Sequence, residues 1–171
     1  ELAFSGNSIS QPLYIRRPDA YPAPKGVNFR ILNQMDLIAI YEIEKNSYEI
    51  QPWSLAQLKE EYAAKNRYYL VAEKNNEVVG YIGVMKSDDV IEVLTLTVAR
   101  AHQRQGIARE LLRQAIDYAR TKSATAMMLE MQIGNIAAQP LYESFGFVAI
   151  SKRANYYAPG VDAIIMRKEL K

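Results

Sequence analysis

Six residues in mid-chain, Gln103-Arg104-Gln105-Gly106-Ile107-Ala108, carry the clearest chemical signal. They lie between a run rich in β-branched residues that ends at Val98 and an amphipathic stretch that opens at Gly106. A polar turn from strand to helix leaves the first helical amides without internal partners, at the positive end of the helix dipole. Such an end binds phosphate. Gly106 lets an anion approach the backbone closely, and Arg104 or Arg109 adds charge. The same residues equally fit an ordinary helix start with solvated arginines, and on this segment alone the two readings stand level.

Composition narrows the chemistry. The 171 residues suit one domain plus a tail, with 49% apolar residues to build its core. There is no cysteine, hence no disulfide, no thiol nucleophile and no thiolate metal site. The single histidine, His102, argues against a histidine metal centre and is expected to be a loop residue. Net charge is +2, from 21 basic and 19 acidic side chains. That balance offers no clustered basic face, so no direct nucleic-acid binding is expected. No apolar run is long enough to span a membrane and no signal-peptide pattern is present, so the expected location is the cytoplasm.

These residues need elements to hold them. Residues 1–26, with Pro12, Pro18, Pro22 and Pro24, are expected to be an extended tail or linker, with one short extended piece at Leu13-Tyr14-Ile15. The domain proper is expected over residues 27–171. Val27–Leu32 is a predicted strand and Met35–Ser47 a helix, on which Leu37, Ile40, Tyr41 and Ile43 fall together. Ser54 and Gln57 form a capping box that starts a second helix. Tyr68–Lys74 and Glu77–Met85 pair as a hairpin across Asn75-Asn76, since asparagine tolerates positive φ. Val90–Val98 is a strand. Gly106–Thr121 is a helix whose stripe is Ile107, Leu111, Leu112, Ala115, Ile116 and Ala119. Ala126–Ile133 is a strand, Ile136–Phe145 a helix, and Phe147–Arg153 and Ala163–Arg167 are closing strands. The order predicts an α+β fold of three layers: a mixed, mostly antiparallel sheet with helices on both faces.

At this point the residues resemble a family. Gln103-x-x-Gly106-x-Ala108 resembles the acetyl-CoA signature of the GCN5-related N-acetyltransferase (GNAT) family. Leu129-Glu130-Met131, Asn135-Ile136-Ala137-Ala138 and Leu141-Tyr142-Glu143-Ser144-Phe145-Gly146-Phe147 resemble the RimI-type subgroup, the ribosomal-protein-alanine N-acetyltransferases. So do Pro52-Trp53-Ser54, Arg153-Ala154-Asn155-Tyr156-Tyr157 and Asp162-Ala163-Ile164-Ile165-Met166. The resemblance runs from about Val27 to the C-terminus. It implies acetyl transfer from acetyl-CoA, without a metal, to the N-terminal α-amine of a protein such as a ribosomal protein. It implies that the backbone of Leu96, Thr97 and Val98 pairs with the pantetheine arm. The amides of Arg104, Gln105, Gly106, Ile107, Ala108 and Arg109 would hold the pyrophosphate, and Asn135 would touch the cofactor near its reactive end. Glu130 would be the general base and Tyr142 the general acid. Trp53, Tyr48, Tyr156 and Tyr157 would line the acceptor groove. A lysine or small-amine acceptor, or a non-catalytic acetyl-CoA-binding module, is the competing implication.

Physical chemistry is compatible with these roles. A thioester is already activated, so a chain without cysteine fits direct attack in a ternary complex. An α-amine, with a pKa of about 7.7–8.0, loses its proton more readily than a lysine at about 10.4, a difference near 3.5 kcal/mol. Alternation along Ala126–Ile133 puts Met127, Leu129 and Met131 on one face and Met128, Glu130 and Gln132 on the other. A Glu130 facing inward would be desolvated and suited to proton transfer, while a solvated strand carboxylate is the plain alternative. Tyr142 follows Asn135 by seven residues, nearly two helical turns, so the two would share a face. Core packing is the plain alternative for Tyr142 and for the other tyrosines.

Three features depart from the pattern. Ala108 stands where glycine is usual, and Ala99-Arg100 where Asp-Pro is common. Pro140 falls inside the expected helix, where it removes an amide donor, so that helix either starts later or is kinked. Finally, Pro12-Leu13-Tyr14-Ile15-Arg16-Arg17-Pro18-Asp19-Ala20 resembles the C-terminal end of TsaB-type proteins, partners in tRNA threonylcarbamoyladenosine synthesis. With Glu1 in place of an initiator Met, this resemblance implies a fusion of an upstream TsaB-like domain to the acetyltransferase, with tRNA-modification partners; a disordered leader is the plain alternative.

Overall fold

The computed structural model describes residues 21–48 and 52–170. The expected extended piece Leu13-Tyr14-Ile15 and the Pro12–Ala20 motif lie outside them. Residues 21–26 approach the sheet without regular structure.

The elements are β1 (Val27–Ile31), α1 (Leu37–Ser47), α2 (Leu55–Ala63), β2 (Arg67–Lys74), β3 (Glu77–Ser87), β4 (Val90–Val98), α3 (Ile107–Thr121), β5 (Ala126–Gln132), α4 (Ala138–Ser144), β6 (Val148–Ala158) and β7 (Val161–Glu169), with 3-10 turns at Gln34–Asp36 and Arg100–His102. Their order is the expected one. The strands form a single sheet, β1-β2-β3-β4-β5-β7-β6, in which only β4 and β5 run parallel.

Strand β2 explains why helices are needed on both faces. Its side chains alternate. Tyr69 and Val71 join Leu37, Ile40, Ile43 and Leu58 from α1 and α2. Leu70 and Ala72 join the opposite core, built on Leu111, Leu112, Ala115 and Ile116 of α3 and on Tyr142 of α4. The buried residues of α3 are the six of the predicted stripe. The capping box at Ser54 is formed, with Ser54 Oγ accepting from the Gln57 amide at 3.2 Å and Gln57 Oε1 accepting from the Ser54 amide at 2.9 Å. Asn75 and Asn76 take φ of 52° and 64°, as the tight hairpin requires.

Besides shifts of one or two residues at strand ends, such as β7 over Val161–Glu169 rather than Ala163–Arg167, three boundaries differ in instructive ways. Asn33 and Asp36 make their own capping box around a 3-10 turn, so α1 begins at Leu37 rather than Met35. Helix α4 begins at Ala138, after a turn in which the Asn135 side chain accepts from the Ala138 amide at 3.1 Å; its N-cap, Ala137, has no side chain able to cap. Pro140 is then the third helical residue, where the missing N–H would have had no helical partner. Asn135 and Tyr142 therefore do not share one continuous helix. Strand β6 runs on to Ala158, five residues past the predicted end, along an exposed sheet edge with no apolar alternation to mark it.

The feature that matters most for chemistry is a separation. β4 and β5 pair from Val90↔Ala126 to Val93↔Leu129 and no further. On its other side β4 stays paired with β3 as far as Val98↔Gly80. The β3/β4 register shifts between Gly83 and Val84, leaving Leu94 as an extra residue in β4. Such a bulge bends its strand. It sits where β4 leaves β5, so Leu94–Val98 keep an edge unpaired with β5. Gly83 is required there, since a Cβ would stand 2.1 Å from Cε1 of Tyr69. The Gly83→Ala protein is expected to lose about 1–3 kcal/mol of stability through overpacking, seen as a lower urea midpoint at unchanged slope; an unaltered midpoint would mean that the Tyr69 ring steps aside.

Candidate active site

Between the separated strands lies a cleft of about 940 Å³. Thr95 and Leu96 of β4 form one wall, and Glu130, Met131 and Gln132 of β5 the other. Glu44, Tyr48 and Trp53 close it from the α1/α2 face, and Asn135, Ala138 and Tyr142 from the α4 side. Arg153, Tyr156 and Tyr157 of β6 also border it. The fold thus gathers Glu130, Tyr142, Asn135, Trp53, Tyr156 and Tyr157 around one opening.

Just beyond the end of β4 comes the turn Gln103–Ala108. The Gln103 side chain ties it back by donating to the Val98 carbonyl at 3.0 Å. Arg104 and Gly106 both take left-handed backbone, φ 62° and 84°. No hydrogen bond from the amides of Arg104 to Arg109 is found among the described residues, and the first helical bond of α3 is Glu110 N–H to the Gly106 carbonyl. Orphan amides in succession at a helix start make an anion cradle. A Cβ on Gly106 would meet nothing within 4 Å, so the approach is open. Lys74 at the end of β2 hydrogen-bonds Gln105 Oε1 at 3.0 Å and brings a cation to the turn. The Arg109 guanidinium lies against rings instead, 4.2 Å from the Tyr21 centroid and 5.4 Å from that of Phe145.

Glu130 faces the opening, as alternation predicts, but it is not desolvated in the way expected. Its side chain is 28% exposed and forms an ion pair with Arg153. Hydrogen bonding to Glu130, with burial, holds the Tyr156 phenol above its ordinary pKa. Tyr142 reaches the cleft from within the α3/α4 core and is 8% exposed. Burial, with the nearby phenols of Tyr48 and Tyr157, pushes its pKa up. Burial and Glu130 push Tyr157 up to about 12. These phenols are protonated at neutral pH, as an ordinary tyrosine is, and the upward shift makes each a weaker acid than a solvated one.

Among the cleft residues that the sequence did not single out are Arg153 and Glu44. Arg153 opens a motif segment whose tyrosines, not its arginine, carry the expected groove. Glu44 lies on the buried stripe of α1, four residues after Ile40, and a charge at that position was the available signal. His102, expected to be a loop residue, is in the 3-10 turn before the cradle, and its Nδ1 is buried without a partner among the described residues.

An open parallel pair with an anion cradle at the end of one strand suits group transfer from a long phosphate-bearing donor. The Acetyltransferase (GNAT) family model matches residues 37–147. The chain belongs to that family. Its relatives include the N-alpha-acetyltransferase RimI of Mycobacterium tuberculosis, 36% identical over 69% of this chain and 76% of that protein. An uncharacterized protein of Mycobacterium leprae is 32% identical over 92% of this chain, which spans only 45% of that longer protein. The crystal structure of the ribosomal-protein-S18-alanine N-acetyltransferase from Escherichia coli superposes with a TM-score of 0.79 at 28% identity, covering 85% of this chain and 94% of the other.

Burial of Tyr142 has a spectroscopic consequence. An ordinary phenol ionises near pH 10. In a phenolate absorbance titration, the Tyr142→Phe and parent proteins should coincide up to about pH 11. A step missing from the variant near the ordinary value would mean that Tyr142 is solvated.

Proposed function

We propose that the chain is an acetyl-CoA-dependent N-acetyltransferase acting on the N-terminal α-amine of a protein, of the ribosomal-protein-alanine type. One observation carries the reading. The unpaired edge of β4 leads from the Glu130 and Tyr142 side of the cleft to the succession of orphan amides at the start of α3. An extended donor with a thioester at one end and a pyrophosphate at the other fits such a track. Leu96, Thr97 and Val98 would pair with the pantetheine arm through their backbone. Arg104, Gln105, Gly106, Ile107, Ala108 and Arg109 would hold the pyrophosphate, and Asn135 would sit near the reactive end. The names of the relatives support the acceptor class, and the cytoplasm is where a ribosomal-protein acceptor would be met.

In the proposed reaction the acceptor nitrogen attacks the thioester carbonyl in a ternary complex. A C–N bond forms and the C–S bond breaks. Glu130 takes the proton from the amine, directly or through water. Tyr142 gives its proton to the departing thiolate, for which its place on the cleft wall beside the β4 edge suits it. Trp53, Tyr156 and Tyr157 would line the acceptor path. Arg153 occupies Glu130 in the structure, and an acceptor ammonium entering the cleft would compete with it for that carboxylate.

The decisive experiment is mass spectrometry of products from Ala-, Ser- and Met-starting peptides with and without internal lysine. Acetyl on the α-amine is expected, and acetyl on lysine alone would overturn the reading. Glu130→Gln should lower kcat about 10²–10⁴-fold while acetyl-CoA affinity stays within about threefold. Unchanged turnover, together with a fully active Tyr142→Phe protein, would remove both roles. Gly106→Val puts a branched side chain at φ 84° beside the cradle. It should raise the acetyl-CoA Kd by about tenfold or more in calorimetry, whereas an unaltered Kd would place the pyrophosphate elsewhere.

A further inference from the structure

Glu44 occupies a helix position that packing alone would give to an apolar side chain. It is seven residues after Leu37 on the buried stripe of α1 and is 2% exposed. A buried carboxylate is costly unless paired or well hydrogen-bonded. The hydrogen-bond partners found for this one are all uncharged. The Tyr81 hydroxyl donates a short bond to Oε1, and the Thr97 hydroxyl lies 3.4 Å from the same atom. The Trp53 amide donates to Oε2 at 3.1 Å. One oxygen therefore faces the sheet, through β3 and β4, and the other holds the residue that leads into α2.

A second tie runs beside the first. The Tyr48 and Thr97 hydroxyls are 2.9 Å apart, and the Tyr48 amide donates to the Glu44 carbonyl. Burial lifts the pKa of the Tyr48 phenol, so it stays a neutral hydrogen-bonding group. Tyr48 and Trp53, the aromatic side chains that bound the cleft from the α1/α2 face, are thus anchored around one carboxylate.

We propose that Glu44 is a positioning residue of the acceptor site: its carboxylate docks the Tyr48 and Trp53 wall of the cleft against β4, so that an incoming peptide N-terminus meets a preformed surface. The identity of the ligand rests on the acceptor reading above; the docking is a property of the free protein. Such a pin needs two hydrogen-bonding atoms rather than a charge. Glutamine supplies them, with Oε1 toward the Trp53 amide and Nε2 donating to the Tyr81 oxygen. Tyr81 can then turn its own proton toward Thr95 Oγ1, 3.3 Å away. Leucine supplies neither.

Trp53 is the only tryptophan in the chain, so intrinsic fluorescence reads its seating directly. Glu44→Leu should shift the emission to the red and raise the acrylamide quenching constant about twofold, as an ordered side chain gains solvent access. Its acceptor-peptide KM should rise about tenfold, with the acetyl-CoA KM within about twofold. Glu44→Gln should restore the parent emission and bring the acceptor KM back to within about threefold. Unchanged emission and quenching in Glu44→Leu would overturn the proposal. So would a Glu44→Gln protein with Trp53 seated but the acceptor KM as high as in Glu44→Leu, which would assign the role to charge. Should Glu44→Leu not fold, the parent protein decides: amide hydrogen exchange at Trp53 should be protected, and exchange at the unprotected rate would overturn the pin. Failure of the α-amine reading would look different, as acetyl on lysine with these Trp53 signals intact.

Discussion

The site depends on a parallel strand pair that comes apart. β4 and β5 share four residues of register and then separate, although each stays paired on its outer side, β4 with β3 and β5 with β7. Leaving backbone amides and carbonyls without partners costs about 1–3 kcal/mol for each buried group, so the separation must be enforced. The extra residue at Leu94 supplies the bend, and Gly83 makes room for the Tyr69 ring opposite. The helices then keep the gap from collapsing: α1 and α2 hold β2–β4 on one face, and α3 and α4 support the other. A ligand able to add a strand to β4 would satisfy the groups that the fold leaves unpaired, which is how an extended donor gains affinity from backbone alone.

The gap also brings together side chains from opposite faces of the sheet. Tyr142 belongs to the core under α3 and α4, whereas Tyr48 lies on the α1/α2 face, yet the two phenols are close enough to raise the Tyr142 pKa. In an intact sheet a layer of backbone would separate them. The opening therefore lets a phenol embedded in one core face side chains mounted on the other, an arrangement that the proposed roles of Tyr142 and Tyr48 need. Rigid cores on both sides suit this task, because small errors in placement are expensive in rate.

What could be read from the sequence followed from how local its cause was. The α3 stripe, the Ser54 capping box and the Asn75-Asn76 turn each depend on residues a few positions apart, and each was predicted where it is found. The start of α4 is open in the sequence because Pro140 permits either a late start or a kink, and the N-cap, Ala137, carries no capping side chain to mark it. The far half of β6 was invisible because an exposed edge strand has no buried face to impose alternation. The separation of β4 from β5 was equally out of reach, since it is a matter of register between strands more than thirty residues apart. The family motifs pointed to Glu130 and Tyr142 without that geometry, but not to the Arg153 partner of Glu130. Glu44 stayed hidden for the same reason as the gap: Trp53, Tyr81 and Thr97 are 9, 37 and 53 residues away from it.

Two of the carboxylates that line the cleft, Glu130 and Glu44, are held in opposite ways, and the contrast bears on how the work is divided. Glu130 is half-open to solvent, with an arginine on it, so its charge is compensated and its partner can be exchanged. Glu44 is sealed in, bound by uncharged donors from three elements, so its position is fixed. A group that must take up and release a proton needs access and a replaceable partner; a group that must hold a wall in place needs neither. Exposure and partner type, more than the shared chemistry of a carboxylate, therefore separate a candidate base from a structural anchor on the same cleft. By the same logic the phenols divide: Tyr142 is enclosed in the core and fixed in place, as its proposed role requires, whereas Tyr156 lies against Arg153 and hydrogen-bonds Glu130 at the more open side.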